Sequence, residues 1–534
     1  MKIEQTNTST DLSLEILLKN GYFPPELVPE FTTKIFSEAV CDTNFRDIGS
    51  LKNLKNSSRT TNYSIPKVKH SRRTLQIPNP LHQYKLSEGI INKWGEIKEF
   101  VNKSSISLTK PVIRDDAKRA LNREYDFNEL TKQRISGITD RRYILKTDIS
   151  RYYSTIYTHS IPWALHGKNI AKKKRSEKDL SGNLIDKLVR NTQDGQTLGI
   201  PVGPDTSLVI SEIIGNAIDQ RIQEEISNLK GFRYTDDIEL YFHTMSEAEN
   251  ALSILHGIMK DYELELNPTK TEIIISPDNL EPIWISKLKL YSFREHPIAQ
   301  YHDLISYFNI AFNYAKQFSN ERVLKYCLKR IYGIEIHPDN IVTFQSLLLS
   351  CTLMDPTTLP IIKKIFNNYL FEDHRLNYEI IQETIAQLIK THVKFGNNYE
   401  VSWALSLSKS LNLPLADEVI DLLFNFEDPI SSILLLDMRN IKLIKREPDL
   451  SKFKSLLTSS ELYGRNWLFS YEANVHGWLF PNENKTYLMD DEFFSELMMS
   501  GVNFYDPTID DTLREVYESF GKQQINENDF FNGY

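Results

Sequence analysis

Three aspartates in two places set the chemistry this chain can do. Asp148 follows the run Tyr143-Ile-Leu-Lys-Thr, whose β-branched and apolar residues read as a buried strand, so the acid stands where a strand leaves a sheet. Asp236 and Asp237 fall at the tip of an expected hairpin, Gly231-Phe-Arg-Tyr-Thr-Asp-Asp-Ile-Glu-Leu-Tyr-Phe-His. Neither place decides anything alone. An aspartate after a strand caps the next segment more often than it holds a cation, and Asp115-Asp116, Asp490-Asp491 and Asp510-Asp511 are pairs as well. If the two strands are neighbours, the three acids converge. Carboxylate oxygens so gathered suit a hard cation such as Mg²⁺ rather than a structural zinc. Two such ions about 4 Å apart can activate an attacking hydroxyl and stabilise a departing pyrophosphate, which is nucleotidyl transfer.

Cationic groups that could meet a polyphosphate lie upstream. From Gly49 to Ser87 there is no acidic residue, while Lys52, Lys55, Arg59, Lys67, Lys69, Arg72, Arg73 and Lys85 all fall there. A solvated basic face and a phosphate-binding surface explain that depletion about equally. The segment Gln196-Thr-Leu-Gly-Ile-Pro-Val-Gly-Pro-Asp-Thr-Ser permits close backbone approach through its glycines, Gly203 among them, and leads into an apolar helix with Leu208, Val209, Ile213, Ile214, Ala217 and Ile218. Alone it reads as an ordinary loop and core helix. Lys270 opens a last strand, where it reaches a phosphate or pairs with Glu272.

The elements that must position these groups follow from periodicity. A short helix is expected at 12–19, two strands at 62–68 and 73–78 with a turn at His70-Ser71, a helix at 81–101, a solvated loop at 168–175 and a helix at 245–261. From about Tyr301 glycine thins out and helix-sized apolar patterns recur, as in Ile380, Ile381, Ile385, Leu388 and Ile389, with prolines at 356, 360, 414, 429 and 448 between them. Stacked helical hairpins of HEAT-like length fit that pattern. A chain of 534 residues exceeds one core, so two or more domains are expected. The net charge of -8 argues against indiscriminate nucleic-acid coating, and the end, from Pro481 to Tyr534, is acidic. Cys41, Cys327 and Cys351 have neither disulfide nor zinc spacing and read as core residues of a reducing compartment. No run of about eighteen apolar residues occurs and the start lacks a signal-peptide pattern, so a cytoplasmic protein without a membrane partner is expected.

Taken in order, Asp-Ile-Ser-Arg-Tyr-Tyr at 148–153, Gly-Ile-Pro-Val-Gly-Pro at 199–204, Tyr-Thr-Asp-Asp at 234–237 and Leu-Asn-Pro-Thr-Lys-Thr at 266–271 resemble reverse transcriptase motifs A to D, and Arg73-Thr-Leu-Gln-Ile-Pro resembles the fingers motif before them. The continuation Tyr153-Ser-Thr-Ile-Tyr-Thr-His-Ser-Ile-Pro-Trp-Ala-Leu-His-Gly-Lys and the early Gly21-Tyr-Phe-Pro-Pro-Glu-Leu are similar to the phage abortive-infection (Abi) and defence-associated members. The match runs from about Leu17 to Glu272. The resemblance implies an α+β polymerase of fingers and palm at 1–295, reverse-transcriptase-like, followed by an all-α HEAT-like repeat domain at 296–534. It implies Asp148, Asp236 and Asp237 as catalytic metal ligands for Mg²⁺, with Mn²⁺ as the alternative. It implies Tyr153 as the gate that excludes a 2′-hydroxyl, a spacing otherwise met by a core tyrosine. Arg73, Lys67, Lys69, Lys270 and Gly203 would contact the deoxynucleoside triphosphate.

One position departs from the templated pattern. Val202 stands where templated reverse transcriptases carry glutamine beneath the templating pair, and valine makes no polar contact there. Abi proteins synthesise DNA without a template from a protein tyrosine, and Tyr22, Tyr63 and Tyr534 are equal candidates for that primer. The leading expectation is thus an antiphage-defence DNA polymerase that uses dNTPs, attaches its DNA product to protein and assembles as a homo-oligomer. A templated enzyme copying a bound RNA is the second reading. A nucleic-acid-binding assembly protein that retained a polymerase fold is the non-enzymatic one.

Overall fold

The computed structural model describes residues 12–52, 54–67, 71–114, 119–125, 127–177, 180–371, 375–481 and 487–509. In chain order its first part carries α1 (Leu14–Gly21), α2 (Lys34–Cys41), β1 (Thr61–Pro66), β2 (Arg72–Ile77), α3 (Pro80–Asn92), α4 (Trp94–Val101), β3 (Pro111–Val112), β4 (Asn122–Arg123), α5 (Phe127–Ile138), β5 (Tyr143–Asp148), α6 (Tyr152–Thr155), α7 (Ser160–His166), α8 (Lys168–Lys173), α9 (Ser181–Thr192), α10 (Asp205–Glu225), β6 (Lys230–Tyr234), β7 (Asp237–Phe242), α11 (Met245–Asp261) and β8 (Glu272–Ile275). Beyond β8, among the described residues, the named elements are helical: α12 (Ile283–Lys289), α13 (Pro297–Gln317), α14 (Val323–Ile331), α15 (Ile341–Met354), α16 (Leu359–Phe371), α17 (Tyr378–Val393), α18 (Asn398–Ser410), α19 (Asp417–Phe424), α20 (Pro429–Asn440), α21 (Ser451–Ser455), α22 (Trp467–Val475) and α23 (Glu492–Met499).

The central sheet is antiparallel throughout, in the order β6-β7-β5-β8. Its strands carry apolar residues to both sides, and both faces are covered. On one face Leu145, Ile238 and Leu240 pack with Val209, Ile213 and Ile214 of α10 and with Ala251 and Leu255 of α11. On the other, Ile144, Phe232 and Tyr241 pack with Leu108 and with Leu130 of α5. The α11 helix starts at a capping box, in which the Thr244 hydroxyl accepts from the Glu247 N–H and the Glu247 carboxylate accepts from the Thr244 N–H. Its span matches the expected one.

A second core joins the β1–β2 hairpin to the helices. Tyr63, Ile65, Leu75 and Ile77 share it with Val401, Leu405, Leu434 and Trp467. Among the helices, α14, α16, α18, α20 and α22 follow one another in contact, while α15, α17 and α19 form a second row beside them. Such i to i+2 packing makes two layers, and the hairpin leans on α18 of the first. The Ser64 N–H donates to Asn398 Oδ1 at 2.6 Å and the Trp467 indole N–H to the Ile77 carbonyl at 3.3 Å.

Several expectations are corrected. The helix expected at 81–101 is two, broken at Lys93 (φ -114°, ψ 11°). The loop expected at 168–175 holds α8 instead, because Ala171 gives that basic segment one residue to bury. The first helix is shifted to begin after Ser13, whose hydroxyl accepts from the Ile16 N–H. Cys41 is exposed at the end of α2, whereas Cys327 and Cys351 are core residues. The turn at His70 and the side chain of Lys69 lie outside the described residues, as does the end of the acidic segment. No helix among the described residues is long and apolar enough to cross a membrane.

Candidate active site

Strand register brings the three aspartates together. Asp148, last in β5, is paired with Asp237, first in β7, and the Ile149 N–H donates to the Asp236 carbonyl at 3.0 Å. The hairpin turns through Thr235 in the left-handed region (φ 61°), which places Asp236 beside the end of β5. Asp148 is buried, with Oδ2 held by the Lys270 ammonium at 2.7 Å and Oδ1 without a hydrogen-bond partner among the described residues. Lys270 also stands 3.8 Å from Asp237 Oδ1. Desolvation and then the Asp148 charge push the Asp236 carboxyl up. Asp237 keeps 64% of its side-chain surface, yet desolvation by the surrounding protein atoms and the Asp236 charge push it up to about 6. Among the described residues no three acidic, histidine or cysteine side chains already stand in a ligating array. The Lys270 ammonium lies between two of the carboxylates and supplies the positive charge there.

Cations face this cluster from the hairpin. The Arg73 charge opposes the rise of the Asp236 carboxyl, and Lys67 is pulled below the usual lysine range by desolvation first, then by Arg73 and Lys270. The charges of Lys67, Arg73 and Lys270 thus reach one another and the acids, an arrangement open to a polyanion such as a triphosphate. Arg72 is elsewhere. Successive strand residues point to opposite faces, and Arg72 donates bidentately to Glu400 of α18 at 2.7 and 2.8 Å.

Tyr153 is half-buried, its hydroxyl 3.1 Å from Ser211 Oγ of α10, and the Asp236 charge reaches it. Val202 packs against the core shared by hairpin and helices, and its carbonyl accepts from the Gln76 N–H at 2.8 Å. Gly203 is a packing position: a Cβ there would lie 2.6 Å from Pro24 Cγ, and its φ is +133°. Arg119 fixes the same loop by donating to the Gly203 carbonyl at 3.0 Å and to Asp205. The candidate primers Tyr22 and Tyr63 are fully buried, with hydroxyls bonded to the Pro78 carbonyl and Ser402 Oγ; Tyr534 lies outside the described residues.

Residues 65–301 match the family model of reverse transcriptase (RNA-dependent DNA polymerase), a span that contains every carboxylate and cation described above as facing the hairpin tip. This part of the chain is a reverse-transcriptase domain. No curated protein matches the chain. Similar solved structures include apo telomerase from Candida tropicalis truncated from its C-terminal domain (12% identity, TM-score 0.32, 42% of this chain and 52% of that one). Others are telomerase from Candida albicans in complex with a TWJ fragment of telomeric RNA (13%, 0.28, 66% and 64%) and apo telomerase from Candida tropicalis (11%, 0.33, 73% and 74%). The chain spans between about half and two thirds of the length of the first two.

Sequence reasoning missed a charged group behind the reverse-transcriptase hairpin. Arg233 is wholly buried between Glu212 and Asp219 of α10, with contacts of 2.9 and 2.8 Å. The signal was present: Glu212 and Asp219 are seven residues apart on a helix whose buried residues there include Ile213, Ile214, Ala217 and Ile218, and buried acids need a partner.

Proposed function

We propose that this protein is a DNA polymerase of antiphage defence that joins deoxynucleoside triphosphates without a template, starting from a tyrosine hydroxyl of protein. The observation that carries the reading is the pairing of Asp148 with Asp237 beside Lys270, within reach of the Lys67 and Arg73 charges. Asp148, Asp236 and Asp237 would hold Mg²⁺, and the buried Oδ1 of Asp148, lacking a donor among the described residues, fits that use. Bound there, the ion supplies charge stabilisation for the attacking and leaving oxygens. Lys67 and Arg73 hold the triphosphate, Lys270 stays near its leaving end, and Tyr153 blocks a 2′-hydroxyl.

Val202 supports untemplated synthesis, since its apolar packing leaves no polar side chain at that loop position. In this reading residues 1–295 form the polymerase and 296–534 a HEAT-like stack that serves assembly of a cytoplasmic homo-oligomer. RNA-templated synthesis is the second reading, favoured by the family match itself. Sequencing the DNA made by the purified protein from dNTPs and Mg²⁺ tests both. A product of irregular sequence, unchanged by RNase and attached to protein, is expected; a defined sequence lost on RNase treatment replaces this reading with the templated one. No product at all overturns both. Mass spectrometry of the peptide that carries the DNA names the priming residue.

A further inference from the structure

The turn that carries Asp236 is gripped from behind through both backbone polar groups of a single strained residue. Thr235 has φ 61°, a conformation that a β-branched residue rarely adopts unless its surroundings impose it. Its N–H donates to Thr109 Oγ1 at 3.1 Å, and its carbonyl accepts from Arg233 Nη1 at 2.9 Å. Neither partner is free to drift. The Thr109 hydroxyl donates in turn to Glu212 Oε1 at 2.6 Å, the same carboxylate that accepts from Arg233. Asp219 accepts from Arg233 Nε and Nη2 and from Ser104 Oγ, and Ser107 Oγ donates to Glu212 Oε2. All of these side chains are buried. Space for the guanidinium exists only because Gly215 lacks a side chain: a Cβ there would lie 2.6 Å from Arg233 Cζ.

We propose that Thr109, together with Arg233, Glu212 and Asp219, is a positioning device that fixes the strained Thr235 peptide units and thereby aims Asp236 at the Asp148 carboxylate for cation binding. This rests on the polymerase reading of Asp236. The chemistry of the device explains why ions are used where apolar packing would serve stability. A buried ion pair adds little to folding by itself, whereas a guanidinium with fixed donor directions can hold one carbonyl in one place. The front of the same turn is tied by the Ile149 N–H to the Asp236 carbonyl, so the segment is held from both sides.

Thr109→Val keeps the shape of the side chain and removes both hydrogen bonds; Thr109→Ser keeps both. Mn²⁺ binding followed by electron paramagnetic resonance, with kcat and KM for dNTP incorporation in parallel, separates positioning from plain stability. Thr109→Val is expected to weaken Mn²⁺ binding and lower kcat by about tenfold each, the scale of one lost hydrogen bond, with the dNTP KM within about twofold. Thr109→Ser is expected to restore both. Wild-type Mn²⁺ affinity in Thr109→Val overturns the inference, as does a Thr109→Ser protein impaired to the same degree. If the wild-type protein incorporates no dNTP, the polymerase reading falls, and the Mn²⁺ comparison still decides the role of Thr109.

Discussion

The two faces of the hairpin tip hold almost the same residue types and treat them oppositely. In front, Asp148, Asp236 and Asp237 share one lysine, Asp148 Oδ1 has no donor among the described residues, and the neighbouring acids push the Asp236 and Asp237 carboxyls up. Behind, Glu212 and Asp219 share one arginine that meets them with five short contacts, and hydroxyls of Ser104, Ser107 and Thr109 fill the remaining lone pairs. The lesson is that charge alone does not mark a functional site. A buried carboxylate oxygen left unfilled beside two further acids does, because folding alone would have selected against it.

The largest effects should fall on the front and leave the fold alone. Asp236→Asn is expected to lower dNTP incorporation on the order of a thousandfold or more, while its melting temperature stays level or rises, since a repelling charge has gone. Melting that falls with activity would erase the contrast. Behind, Arg233→Met strands two buried acids and is expected to cost about 3–5 kcal/mol in urea unfolding; an unchanged midpoint would mean that the acids are already neutral. Gly215→Ala pushes a methyl into the guanidinium and is expected to cost about 1–3 kcal/mol despite the better helix propensity of alanine.

The smallest contrast repeats the pattern in adjacent residues. Arg72 is spent on Glu400, which is 1% exposed, so Arg72→Ala is expected to destabilise by about 2 kcal/mol with the dNTP KM unchanged. Arg73→Ala is expected to raise that KM about tenfold with no change in melting. Reversed results would move the triphosphate from one face of β2 to the other.

How much of this was legible follows from range. The strand before Asp148, the hairpin and the whole of α11 depend on neighbours within a few residues, and the alternation and the Thr244 cap announce them. The contrast between Arg72 and Arg73 was not legible, because it depends on a carboxylate 328 positions away in α18. The acids Glu212 and Asp219 signalled that a buried cation was needed, but that Arg233 answers them depends on a strand beyond their helix, which spacing within the helix does not name. The break at Lys93 and the folding of the basic 168–173 segment were decided by what each could bury, which periodicity does not report.

The most direct test of the account is incorporation of labelled dATP with Mg²⁺ by the wild-type protein and by Asp236→Asn, both shown to be folded. DNA is predicted from the wild-type protein alone. Equal incorporation by the two, or none by either, would contradict the assignment of the front carboxylates as the catalytic centre.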